Sequence, residues 1–156
     1  MNQTMPNYRF LLVFTNAGNR HADIEKALGC KPTRCYMKGD AIDLEYLPNQ
    51  TCSVDCWLLE SPLSSDASAA EHFNYMSSII ENNQRFIRSL TCAGVMAEVR
   101  CILYHSEESF VVPGSVVATL SKCGMQLSIR SQPGTAALIR AVLNENKQNA
   151  PKNEHS

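Results

Sequence analysis

A chain of 156 residues, 44% hydrophobic and 19% charged, has the size and composition of one globular domain whose core needs no disulfide or metal staple. The formal net charge of -1 and the absence of any Lys or Arg run exclude the basic surplus needed to grip a phosphate backbone, so no nucleic-acid partner is expected. The longest early apolar run, Phe10 to Phe14, is too short for a signal-peptide core or a bilayer span, so a cytoplasmic protein with no membrane partner is expected.

The seven cysteines, Cys30, Cys35, Cys52, Cys56, Cys92, Cys101 and Cys123, are odd in number and cannot pair completely. They read as small buried hydrophobes of a reducing compartment. Tyr8 to Thr15 carries Phe10, Leu12 and Phe14 on one face and Leu11 and Val13 on the other, the pattern of an interior strand. Turn chemistry around Gly18 leads to a short helix over His21 to Leu28, with Gly29 at its left-handed cap. Cys30 to Asp40 has no regular period; Pro32 and Gly39 mark it as a loop. Ala41 to Leu47 alternates as a half-exposed strand, and Cys52 to Ser61 reads as the next strand.

Ser65 or Asp66 is expected to cap a long helix over Ala67 to Ala93, whose stripe of Phe73, Met76, Ile80 and Ile87 is interrupted at Asn82-Asn83-Gln84 by a bend or break. Val95 to His105 alternates as a strand. Phe110 to Val112 suits a short strand, and Pro113 the first position of a helix ending at Gly124. Met125 to Ser131 reads as the last strand, with Met125, Leu127 and Ile129 inward. Gln132-Pro133-Gly134 is a linker to an amphipathic helix over Thr135 to Leu143, and the polar residues 144–156 read as a disordered tail. The order predicts a single α+β domain over residues 7–131, with a mixed, mostly antiparallel sheet and helices on one face.

Leu28-Gly29-x-x-Pro32-Thr33, the triplet Lys38-Gly39-Asp40 and the strand Trp57-x-Leu59-x-Ser61 follow one another in a spacing that resembles the bacterial family called domain of unknown function 4279. The resemblance covers Tyr8 to Ser131. It implies a fold and a bacterial cytoplasmic setting but no established activity. Genes for such small domains often stand near toxin or mobile-element genes, so a non-enzymatic protein-binding module is expected, with a toxin-neutralising immunity protein as one form of it and a toxin as its partner. Oligomeric state is left open.

The residues offer several candidate sites. Thr33, Arg34, Lys38 and Asp40 supply a hydroxyl, two cations and an acid in a glycine-containing loop, a composition that holds a small anion as ligand or substrate. A structured turn with Lys38 in water is the plainer alternative. Leu138, Ile139 and Val142 give the C-terminal helix a partner-binding face. The pairs Cys30/Cys35 and Cys52/Cys56 are too far apart for one tetrahedral metal site if Cys52 and Cys56 share a strand, so no metal or cofactor is expected. Asp43, Glu45, Asp55 and Glu98 read as the wet side of a sheet, with Arg100 balancing Glu98. Trp57, Tyr46, Tyr104 and Phe110 form either an aromatic patch or core. His21, His72 and His105 have no telling sequence neighbour, so no catalytic residue is expected.

Overall fold

The computed structural model describes residues 8–42, 50–64, 66–104 and 111–131. Its elements are β1 (Tyr8–Thr15), a 3-10 turn (Gly18–Arg20), α1 (His21–Leu28), β2 (Arg34–Tyr36), β3 (Ala41–Ile42), β4 (Gln50–Thr51), β5 (Cys56–Glu60), α2 (Ala69–Asn82), α3 (Gln84–Cys92), β6 (Met96–Leu103), α4 (Gly114–Cys123) and β7 (Gln126–Ser131). Five strands form one sheet in the order β2-β5-β1-β6-β7, and β3 pairs with β4 in a separate two-stranded ribbon. All neighbours in the large sheet are antiparallel except β6 and β7. This is the α+β architecture read from the sequence.

The doubly apolar β1 occupies the centre, where both of its faces are covered. Phe10, Leu12 and Phe14 join Trp57, Leu59, Val99 and Cys101 against Phe73, Met76, Ile80, Ile87, Val116 and Leu120 of the helices. Leu11 and Val13 point the other way, into a second cluster with Tyr36, Leu58, Ile102 and Tyr104. Among the described residues no helix contributes to that second cluster, so the helices lie on one face.

The long helix expected over Ala67 to Ala93 is two helices that break at Asn83, whose amide Nδ2 turns back to donate to the Ile79 carbonyl at 2.9 Å. Its cap is neither Ser65 nor Asp66 but Ser68. The Ser68 hydroxyl accepts from the Glu71 N–H at 3.2 Å while the Glu71 carboxylate accepts from the Ser68 N–H at 2.7 Å, a complete capping box. The strand expected from Cys52 starts only at Cys56, and Cys52 to Asp55 form the bend before it. Cys52 and Cys56 therefore do not share a strand, which removes the premise of the spacing argument against a shared metal site.

Pro113 stands one residue outside α4 rather than at its first position. Val111 and Val112 are not in a strand, and Ile129, expected inward, is half exposed because β7 is the sheet's edge. Trp57 is wholly core and Tyr104 is buried in the second cluster. The expected partner face of Leu138, Ile139 and Val142, the linker and tail, and residues Asp43, Glu45, Tyr46, His105 and Phe110 lie outside the described residues.

Helices α3 and α4 end alike. The Val95 N–H donates to the Leu90 carbonyl and Gly94 to Thr91; the Met125 N–H donates to Leu120 and Gly124 to Ser121. These are paired Schellman turns, each with a glycine at positive φ. The two ends are fastened together by the Thr91 hydroxyl on the Cys123 carbonyl at 2.8 Å and the Arg88 guanidinium on the Lys122 carbonyl at 2.6 Å.

Replacing Ser68 with alanine removes the hydroxyl half of the capping box and should cost about 1 kcal/mol. Urea unfolding of Ser68→Ala beside Ser65→Ala and Asp66→Ala checks this, with the cap loss confined to the first.

Candidate functional site

Strand β1 ends in a tight reversal: Asn16 adopts a left-handed conformation at φ 63, Ala17 is buried, and the chain enters the 3-10 turn. The N–H groups of this reversal need acceptors. Asp55, at the bend before β5, supplies them. Its Oδ2 accepts from the Ala17 N–H at 2.9 Å and the Gly18 N–H at 3.0 Å, while its own carbonyl accepts from the Asn16 N–H at 3.1 Å. Oδ2 also meets His21 Nε2 at 2.7 Å, where α1 begins. Burial pushes the Asp55 carboxyl up, but the hydrogen bonds from His21, Gly18 and Ala17 outweigh it and hold the group below its ordinary range.

The other imidazole nitrogen, Nδ1, lies 2.8 Å from Cys35 Sγ. Cys35 is the middle residue of β2, opposite Trp57 in the register. An ionised carboxylate only accepts, so with neutral imidazole Nε2 carries the proton and Nδ1 presents its lone pair to the thiol. The result is a thiol, a base and an orienting carboxylate in line. The His21 and Asp55 side chains are 14% and 10% exposed, whereas Cys35 is exposed. Burial, then the charges of Asp55, Asp40 and Glu25, pushes the Cys35 thiol up. The resting sulfur is protonated. The arrangement therefore suits proton transfer during attack rather than a resting thiolate–imidazolium pair.

This corrects the expectation that no histidine has a telling neighbour, and it moves Asp55 from the wet side of a sheet into a buried junction. Spacing carried no hint of it, since the partners are 14 and 34 residues from His21. Glu98 does meet Arg100, and also the Ser128 hydroxyl, on the face away from the helices.

The four residues of the expected anion site are not gathered at one point. Thr33 and Asp40 stand beyond opposite ends of β2. Thr33 Oγ1 accepts from the Glu60 N–H at 2.9 Å, and Asp40 Oδ2 accepts from the Met37 N–H at 2.8 Å, closing a turn. Arg34 faces the side of Leu58, and Lys38 is exposed in the turn. Among the described residues no group of three or more His, Cys, Asp or Glu side chains is placed to hold a metal ion.

A second polar constellation lies at the far end of β5. Ser61 Oγ is 2.8 Å from His72 Nδ1, and the His72 ring stacks on Phe10 at 4.9 Å between centroids. Burial lowers the His72 pKa, so this imidazole is neutral at pH 7. Beside the pair, a hollow of about 160 Å³ is lined by Tyr8, Arg9, Phe10, Glu60, Ser61, Leu63 and His72.

The family model described as domain of unknown function (DUF4279) matches residues 6–133. The chain belongs to this family. No significant match is found among the curated proteins or among the solved structures. No helix of the described part of this DUF4279 chain is long and apolar enough to cross a membrane.

Asp55→Asn weakens the acceptor that holds the Ala17, Gly18 and His21 N–H groups, and should cost about 1.5–3 kcal/mol near pH 6. Because the folded carboxyl titrates below its unfolded value near 3.9, its contribution is complete above that pH and fades as pH falls through the folded pKa. Urea unfolding should thus show the gap between Asp55→Asn and the parent narrowing from pH 6 to pH 3.

Proposed function

We propose that this protein carries out nucleophilic thiol chemistry through Cys35. The single observation behind this reading is the His21 imidazole held between the Cys35 thiol and the Asp55 carboxylate. The reaction class it suits is acyl transfer. As Sγ attacks the carbonyl carbon of an ester, thioester or amide, the thiol proton passes to Nδ1. The imidazolium so formed is balanced by Asp55, and Nδ1 then returns the proton to the leaving group. The product of that half-reaction is an S-acyl cysteine. Water or a second nucleophile, deprotonated by the same imidazole, releases the acyl group and restores the thiol. The exposure of Cys35 on a sheet edge suits a large acyl donor approaching over the surface.

Cys92 is also exposed and provides an internal reference. A thioester probe at pH 7, followed by peptide mass mapping, should acylate Cys35 about 100-fold faster than Cys92. His21→Gln should erase that advantage. Equal rates at the two cysteines, or a Cys35 rate indifferent to His21→Gln, would refute the reading.

A second reading, a non-enzymatic toxin-neutralising module in the bacterial cytoplasm, draws on the same corner. Strand β2 is the end of the sheet, and the apolar side chains of Met37 and Val54 are 51% and 40% exposed. Uncovered apolar side chains beside a strand edge suit protein recognition. Co-purification with the product of an adjacent toxin-like gene should fail for Met37→Asp and survive Cys35→Ser. The thiol reading gives the opposite order of sensitivity in the acylation assay.

A further inference from the structure

The direction in which each backbone group of β2 points is fixed by its neighbours. In an antiparallel pair the N–H and C=O of one residue turn to the same side, and successive residues alternate. The Asn16 N–H donates to the Asp55 carbonyl at 3.1 Å and the Ser61 N–H to the Phe10 carbonyl at 2.8 Å, so the backbone groups of Asp55 and Ser61 turn toward β1. Between them Trp57 and Leu59 do the same, and the polar backbone groups of Cys56, Leu58 and Glu60 turn toward β2. The Thr33 N–H on the Leu58 carbonyl at 2.7 Å and the Glu60 N–H on Thr33 Oγ1 at 2.9 Å agree with this. Arg34 stands opposite Leu58 and Tyr36 opposite Cys56, so the backbones of Arg34 and Tyr36 are the ones engaged with β5. The N–H and C=O of Cys35 point the other way.

Strand β2 is the last on its side of the sheet, and Cys35 is exposed. The outward pair of Cys35 therefore lies on an open edge, which is a template for an added strand. In an antiparallel addition, the incoming residue facing Cys35 accepts from the Cys35 N–H through its carbonyl and donates its own N–H to the Cys35 carbonyl. The same residue then supplies both the donor that polarises that carbonyl and, with His21 Nδ1 2.8 Å from its sulfur, the nucleophile beside it.

We propose that the acyl donor is an extended polypeptide that adds along β2, with the carbonyl under attack hydrogen-bonded to the Cys35 N–H. This inference rests on the thiol reading above and names its substrate class. As the bond from Sγ to the carbonyl carbon forms, the π electrons move onto oxygen and the thiol proton passes to Nδ1. The Cys35 N–H, set in place by the β2–β5 register, meets the negative oxygen without reorganisation. The C=O double bond then re-forms, the leaving group departs with the proton from Nδ1, and the polypeptide remains as an S-acyl group on Cys35. Because β2 offers one outward N–H and C=O pair among its three residues, recognition centres on the reacting residue itself.

The test uses the intact chain and thioesters of a single thiol: an acetyl thioester, a hexapeptide thioester, and the same hexapeptide N-methylated at the residue that carries the thioester carbonyl. Peptide mass mapping gives the acylation rate of Cys35 relative to the exposed Cys92 for each probe, a ratio that cancels the probe's intrinsic reactivity. The hexapeptide ratio should exceed the acetyl ratio by about tenfold, and N-methylation, which removes the N–H that donates to the Cys35 carbonyl, should return it to the acetyl value. Equal ratios for the acetyl and hexapeptide probes, or a hexapeptide ratio unmoved by N-methylation, would overturn this inference. The thiol reading survives that result if Cys35 still outpaces Cys92. Parity of the two cysteines with every probe overturns both.

Discussion

Strand β1 buries apolar side chains on both of its faces, and the rest of the domain is arranged around that constraint. Five consecutive apolar residues, Phe10 to Phe14, divided between two faces need a neighbour on each edge and a layer above and below. Strands β5 and β6 supply the edges. The helical layer covers Phe10, Leu12 and Phe14, and the second cluster covers Leu11 and Val13. Once β1 is central, the chain leaving its end must turn sharply, and the Asn16-Ala17-Gly18 reversal follows with its N–H groups pointing inward.

The chemistry of the corner grows from that reversal. A carboxylate is needed beneath it for structural reasons, and Asp55 fills the need. The imidazole at the start of α1 then lands on the same oxygen, and its far nitrogen reaches the neighbouring edge strand. A fold-holding acid thus also fixes which nitrogen of His21 carries the proton. Structural and chemical roles share one atom, Asp55 Oδ2. Any change there alters both the closure of β1 and the imidazole nitrogen presented to Cys35.

Much of the scaffold was legible because local periods report burial directly. The two-sided β1, the alternation of β6, the glycines after α1, α3 and α4, and the interruption at Asn83 each left a pattern within a few residues. Boundaries were less legible where several residues competed for one role. Ser65, Asp66 and Ser68 all have capping chemistry, and only reciprocity with Glu71 selects Ser68. Val54, Cys56 and Leu58 alternate as a strand does, yet Asp55 leaves the ladder to serve the β1 reversal. The corner itself was not legible: His21, Cys35 and Asp55 meet through sheet pairing and loop closure, and no local pattern encodes that meeting. Thr33 and Asp40 formed a suggestive composition, but the backbone claims their acceptor oxygens.

The lone parallel pair in the sheet can be traced to a point outside it. Helices α3 and α4 stop at matched glycine turns, and side chains of α3 clasp the last carbonyls of α4. Strands β6 and β7 therefore leave from adjoining doorways and head the same way. Their shared polarity is set at the helical corner before either strand meets its neighbour, much as two rails laid from one buffer must run side by side.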